Sequence, residues 1–209
     1  MGIRRQLARE ERADFADFLS TLRPEQWDEP TLCDSWTVRD VVAHVISYEG
    51  HGPRDVAVRF AKGGMRLSGA NTIALAEYRA YSPDELLARL RRHLDPTGLT
   101  NVFGGSVALT DCCIHHQDIR RPFGMPREIP PDRLVEVLRF ALLAPPIGAF
   151  VRARGLRLEA TDLDFTRGNG PEVQGPAESI LMAIAGRRGA VDELSGPGQP
   201  ILSNRIAAK

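Results

Sequence analysis

Cysteine is scarce in this chain of 209 residues: Cys33 stands alone, and Cys112 and Cys113 are neighbours. An odd count of three, with no Cys-x-x-Cys pair, excludes a disulfide framework and a thiolate zinc ribbon. Net charge is also missing, because 27 lysines and arginines balance 27 aspartates and glutamates. Such a chain is not built as a whole to coat nucleic acid or an anionic membrane. Long apolar runs are absent too. The longest, such as Ile180–Ala185, are far too short to span a bilayer. The opening Met-Gly-Ile-Arg-Arg-Gln lacks the apolar stretch of a secretory signal, and Gln6 stands where a myristoylation motif requires Ser or Thr. These absences point to a cytoplasmic protein with reduced thiols, acting on small molecules, with no nucleic acid and no membrane as partner. The oligomeric state is left open.

What is present is mostly helical punctuation. Leu7, Phe15, Phe18, Leu19 and Leu22 form a stripe of roughly helical period that ends at Arg23-Pro24. Thr37 is a good N-cap, with Asp40 three residues on, for a helix whose apolar face is Val38, Val41, Val42, Val45 and Ile46. A further helical segment is predicted from Pro53 to Ala61, followed by a glycine-containing flexible stretch over Lys62–Asn71. Ser82-Pro83-Asp84-Glu85 starts another helix: N-cap, proline in the first turn, then acids against the dipole. Gly104-Gly105-Ser106 opens one that runs to about Arg121, and Pro131–Ala144 reads as one more. The texture then changes. Leu156–Thr161 alternates like a half-buried strand, Phe165–Val173 reads as two short strands around a glycine turn, and Ala177–Ala185 as an apolar helix. Leu194–Gly196 closes the set as a short strand. The predicted fold is mainly α, a helical bundle over residues 1–147 followed by a small α+β domain over 148–209.

One stretch carries chemistry: Asp111-Cys112-Cys113-Ile114-His115-His116-Gln117-Asp118. Asp111 and His115 are four apart, so a helix puts them on one face, with Asp118 a further three along. A carboxylate and an imidazole at this spacing supply two ligands to a divalent metal. His44 is the best candidate for a third, because it interrupts an otherwise apolar run, Val41-Val42-Ala43-His44-Val45-Ile46. Two histidines and one carboxylate leave coordination positions open, which suits catalysis better than a closed structural site.

The block Thr31–His44, with Cys33, Trp36-Thr37-Val38-Arg39-Asp40 and His44, resembles the N-terminal signature of the mycothiol-dependent maleylpyruvate isomerase family. That family lies within the DinB-like metal-dependent four-helix bundles. Asp111–Gly124 resembles its second signature. Ala160-Thr161-Asp162, Gly168-x-Gly170-Pro171-Glu172-Val173, Gly175-Pro176-Ala177 and Gly186-Arg187 resemble its C-terminal domain, in the expected order. The resemblance implies a DinB-like four-helix bundle, a divalent metal, usually Zn2+, on His44, Asp111 and His115, and mycothiol as co-substrate. Relatives commonly have Glu where this chain has Asp111, and the side chain shorter by one methylene can shift the metal or change its preferred identity.

A thiol with its ordinary pKa near 8.5 is mostly protonated at neutral pH, and a divalent metal favours the nucleophilic thiolate. The resemblance therefore implies isomerisation or S-transfer on a small electrophile. Arg187 then becomes a candidate catalytic residue, able to bind a substrate carboxylate bidentately, or else a surface arginine at a helix end. Asp118 either orients a ligand histidine or pairs with Arg120 or Arg121. His116 either supports a ligand side chain from behind or lies on the surface. Cys112 and Cys113 read as buried packing. The rival functional reading is a non-catalytic metal-bearing module with a stress or regulatory role.

Overall fold

The computed structural model describes residues 2–207, and these form two compact units, the first ending at Pro126 and the second beginning at Arg127. In the first unit α1 (Ile3–Leu19), α2 (Val38–Ile46), α5 (Pro83–Arg92) and α6 (Ser106–Arg120) make a four-helix bundle. α1 packs on α5 and α6, and α2 packs on the same two helices. Two further helices, α3 (Pro53–Lys62) and α4 (Leu67–Tyr78), pack on each other, and α4 also lies on α2. The core follows the predicted stripes: Phe15 and Leu19, Val41, Val42, Val45 and Ile46, then Leu86 and Leu90, closed by Cys112 and Ile119.

The helix starts form as their residues dictate. Thr37 accepts from the Asp40 amide, and the Asp40 carboxylate takes the Thr37 amide at 3.0 Å. Ser82 and Glu85 repeat the arrangement at the start of α5. α4 is a difference from expectation. It begins at Leu67, inside the stretch read as flexible, because close backbone approach between Gly63 and Gly69 lets the chain fold straight back into a helix.

A buried ion pair braces the bundle. Arg12 donates to Glu49 at 2.5 Å and to the His93 carbonyl at 2.7 Å, while Glu49 also takes the Thr97 amide and hydroxyl. A buried charge is costly unless it is paired and hydrogen-bonded; here each charge meets the other and further partners, and Arg12 Nε alone of these atoms has none among the described residues.

The second unit holds α7 (Pro131–Ala141), a short α8 (Ala149–Ala153), a three-stranded sheet, α9 (Ala177–Ile184) and α10 (Gln199–Ala207). The strand order is β2-β1-β3, where β1 is Arg157–Ala160, β2 is Thr166–Arg167 and β3 is Glu172–Gly175. β1 runs antiparallel to β2 and parallel to β3, with Leu158 opposite Arg167 and Val173. α9 is buried nearly throughout and packs on α7, α8, α10, β1 and β3. The expected last strand is a single bridge, Ser195 to Gln174. α7, expected as part of a bundle reaching residue 147, packs instead on α9, so the units divide at 126/127.

Candidate metal centre

α2 and α6 bring the three expected donors together. The apolar face of α2 is held in the core, which leaves His44 at its edge, 11% exposed. α6 is buried along most of its length from Thr110 to Ile119, with Asp111 and His115 one turn apart. His44 Nε2 lies 3.4 Å from Asp111 Oδ1, and His115 Nε2 lies 3.5 Å from the same oxygen. The two imidazoles meet nearly edge to face, with centroids 4.9 Å apart. Ligand atoms about 2.0–2.1 Å from a tetrahedral ion are separated by about 3.3–3.4 Å. The two separations to Asp111 are of that size, and all three donor atoms lie within 4.8 Å of one another, so the donor set fits a divalent ion. Asp111 is the most accessible of the three, its side chain 35% exposed.

Electrostatics agree with the geometry. Burial raises the Asp111 pKa, but the facing His44 and His115 outweigh it and bring the carboxyl down to about 2. Burial alone would lower the His115 pKa. Asp111, Cys33 and a hydrogen bond to Asp118 instead hold it well above 6.5. The cluster stabilises positive charge beside Asp111, which a metal cation would supply more strongly than a proton.

Asp118, fully buried, takes His115 Nδ1 at 2.9 Å through Oδ2, so it orients that ring rather than simply pairing with an arginine. The second histidine differs: His44 Nδ1 is buried and has no hydrogen-bond partner among the described residues. Trp36 walls the centre, its ring 5.0 Å from His44 and 6.1 Å from His115, and Tyr48 meets His44 edge-on at 6.1 Å.

His116 is neither exposed nor turned towards the donors. It is fully buried, with Nδ1 3.1 Å from Glu11 Oε1, and Nε2 accepts from Arg120 Nε at 2.8 Å. Its ring sits against Phe15 and Phe18, so it belongs to the packing of α1 on α6. Cys112 and Cys113 are buried as expected. Arg187, in the second unit, donates to the Ala185 carbonyl at 2.8 Å. Cys33 escaped the sequence reading. Its thiol lies 3.0 Å from Asp118 Oδ2 and 3.5 Å from His115 Nδ1. Its one available signal was its place in the same block as His44, in a loop without periodicity.

Fold and donors together define a helical-bundle protein with a candidate two-histidine, one-carboxylate metal centre. Residues 8–98 match the mycothiol maleylpyruvate isomerase N-terminal domain. The crystal structure of a mycothiol-dependent maleylpyruvate isomerase is similar to this chain with a TM-score of 0.55 at 15% identity, over 94% of this chain and 92% of that one. A histidine-to-alanine mutant of a mycothiol-dependent maleylpyruvate isomerase gives 0.54 at 17% identity, over the same shares. The chain therefore has the maleylpyruvate isomerase fold, and residues 8–98 match that family's N-terminal domain. No curated protein matches it.

Proposed function

We propose that the chain is a thiol-dependent isomerase that uses mycothiol as co-substrate at a metal centre held by His44, Asp111 and His115. The observation that carries this reading is the convergence of two imidazole Nε2 atoms on one carboxylate oxygen, in a chain with this family domain and fold. A divalent ion on these donors would favour the thiolate of the co-substrate and leave a coordination position open.

The chain's own groups do the rest. Asp118 holds His115 Nδ1 and so leaves Nε2 free to face Asp111. Trp36 and Tyr48 shield the His44 side from water, and access is by way of Asp111, the most exposed donor. A thiolate adding to one carbon of a conjugated double bond would push the π pair onto the conjugated carbonyl as an enolate; the resulting single bond could rotate, and return of that pair with expulsion of the thiolate would restore the double bond in the other geometry, with no net consumption of thiol.

Metal analysis of the wild type beside His44→Ala and His115→Ala tests the centre. The wild type is expected to hold about one equivalent of divalent metal and both variants to lose most of it. Equal content in all three would sink the ligand assignment. Adding mycothiol to a Co2+-substituted wild type should shift its visible spectrum. No shift, together with no isomerisation of maleylpyruvate, would favour a binding module over an enzyme.

A further inference from the structure

We infer that Cys33 is a positioning residue for the candidate metal centre: its thiol and the Asp118 carboxylate together hold the His115 imidazole in the tautomer that presents Nε2 towards Asp111. The destination of Nε2 rests on the metal reading above. The tautomer lock itself concerns only atoms of this chain.

The loop before α2 is tied down so that the sulfur faces α6. The Leu32 amide donates to the Asp118 carbonyl at 3.0 Å, and the Cys33 amide donates to Thr31 Oγ1 at 3.1 Å. The Trp36 amide donates to the Cys33 carbonyl at 3.0 Å, and the Thr31 amide donates to the Trp36 carbonyl at 3.1 Å. This places Cys33 Sγ 3.0 Å from Asp118 Oδ2, the same oxygen that lies 2.9 Å from His115 Nδ1.

Cys33, His115 and Asp118 could be taken for a second metal site, since their donor atoms also lie within 4.8 Å of one another. The distances decide against it. Around a tetrahedral ion, sulfur at about 2.3 Å and nitrogen or oxygen at about 2.0–2.1 Å stand roughly 3.3–3.6 Å apart. The separations of 2.9 and 3.0 Å to Asp118 Oδ2 are those of groups bonded directly to each other. The cluster is a hydrogen-bonded relay: S–H and Nδ1–H both donate to one carboxylate oxygen.

Asp118 is fully buried, and a buried carboxylate needs its donors. The thiol secures the oxygen from the loop side, so that it stays in line with His115 Nδ1. With the proton kept on Nδ1, the lone pair stays on Nε2. Partners of this kind, behind a metal-ligating histidine, typically change metal affinity by about 10–100-fold when removed.

The test uses full-length protein carrying Cys33→Ala or Cys33→Ser, with His44→Ala as a check on the metal reading. In ion-free protein at alkaline pH, where the ring is neutral, nitrogen NMR of the histidine rings reports the His115 tautomer. The wild type and Cys33→Ser should show the proton on Nδ1, and Cys33→Ala a mixture of tautomers. Competition with a chelator for Co2+ should show roughly tenfold weaker binding in Cys33→Ala and near-wild-type binding in Cys33→Ser. A Cys33→Ala protein with wild-type tautomer and affinity overturns the proposal. Equal losses in both variants also overturn it, because they would assign Cys33 to packing. If the wild type binds no Co2+, the metal reading fails while the ring signals still decide the lock.

Discussion

Asp111 is the pivot of the centre at the scale of single residues. Its pKa of about 2 means that protons do not compete for it above about pH 4. His115 is the opposite case, since its raised pKa keeps a proton on the ring through neutrality in the ion-free protein. That proton would have to leave before Nε2 could ligate an ion. Co2+ affinity is therefore expected to go on rising with pH above about 6.5, the ordinary histidine value. Chelator competition across pH checks this, and a plateau starting at about 6.5 would contradict it. The two shifts also contribute to the pH dependence of the ion-free protein's stability. The depressed carboxyl contributes above its unfolded value and loses its contribution as pH falls towards 2, whereas the raised histidine contributes below about 6.5 and loses it as pH rises. Their joint contribution is greatest between about pH 4 and about pH 6.5. His44, Asp111 and His115 were legible because helical spacing brings Asp111 and His115 onto one face and a polar ring in an apolar run stands out. Cys33 was not, since a loop has no period. The burial of His116 was hidden as well: Glu11 looks like one of several charges along α1, and periodicity does not show that it meets a histidine in the core.

Among the elements, α6 does most of the positioning, and its start is tightly constrained. Gly105 has φ +95°, and a Cβ there would come within 3.0 Å of the Arg5 Cα in α1. Gly105→Ala should cost about 1–3 kcal/mol, from left-handed strain and backbone crowding together. Urea unfolding measures the loss, and an unchanged midpoint would contradict the close approach. α2 and α5 were easy to place because each starts with a capping box, and α1 because its stripe ends at a proline. α4 and α10 were not. α4 follows a glycine-containing turn and its apolar residues do not gather on one face, while α10 starts among prolines and glycines and buries only Leu202 and Ile206. α7 shows a related gap. Its apolar stripe was visible, but a stripe says that something covers it, not which helix does.

For the molecule as a whole, the boundary matters most. Residues 125–130 form no helix or strand, and Glu128 is exposed. Limited digestion with a glutamate-specific protease should cut first after Glu128 and yield two resistant fragments. Early cuts within α7 or the sheet would argue against the division at 126/127. The helical majority and the late strands were readable because the hydrophobic period changes along the chain. The division point was not, because it depends on contacts between segments distant in sequence. No described helix is long and apolar enough to cross a membrane. The origin of the three donors has a further consequence, in time rather than in space. His44 comes from α2, and Asp111 and His115 from α6, with α3, α4 and α5 between them in the chain. No local segment holds the full set, so the centre does not exist until those distant helices have docked. Ion uptake at this candidate centre would then be a late step of folding and would report that the bundle has closed. All three donors lie in the first unit.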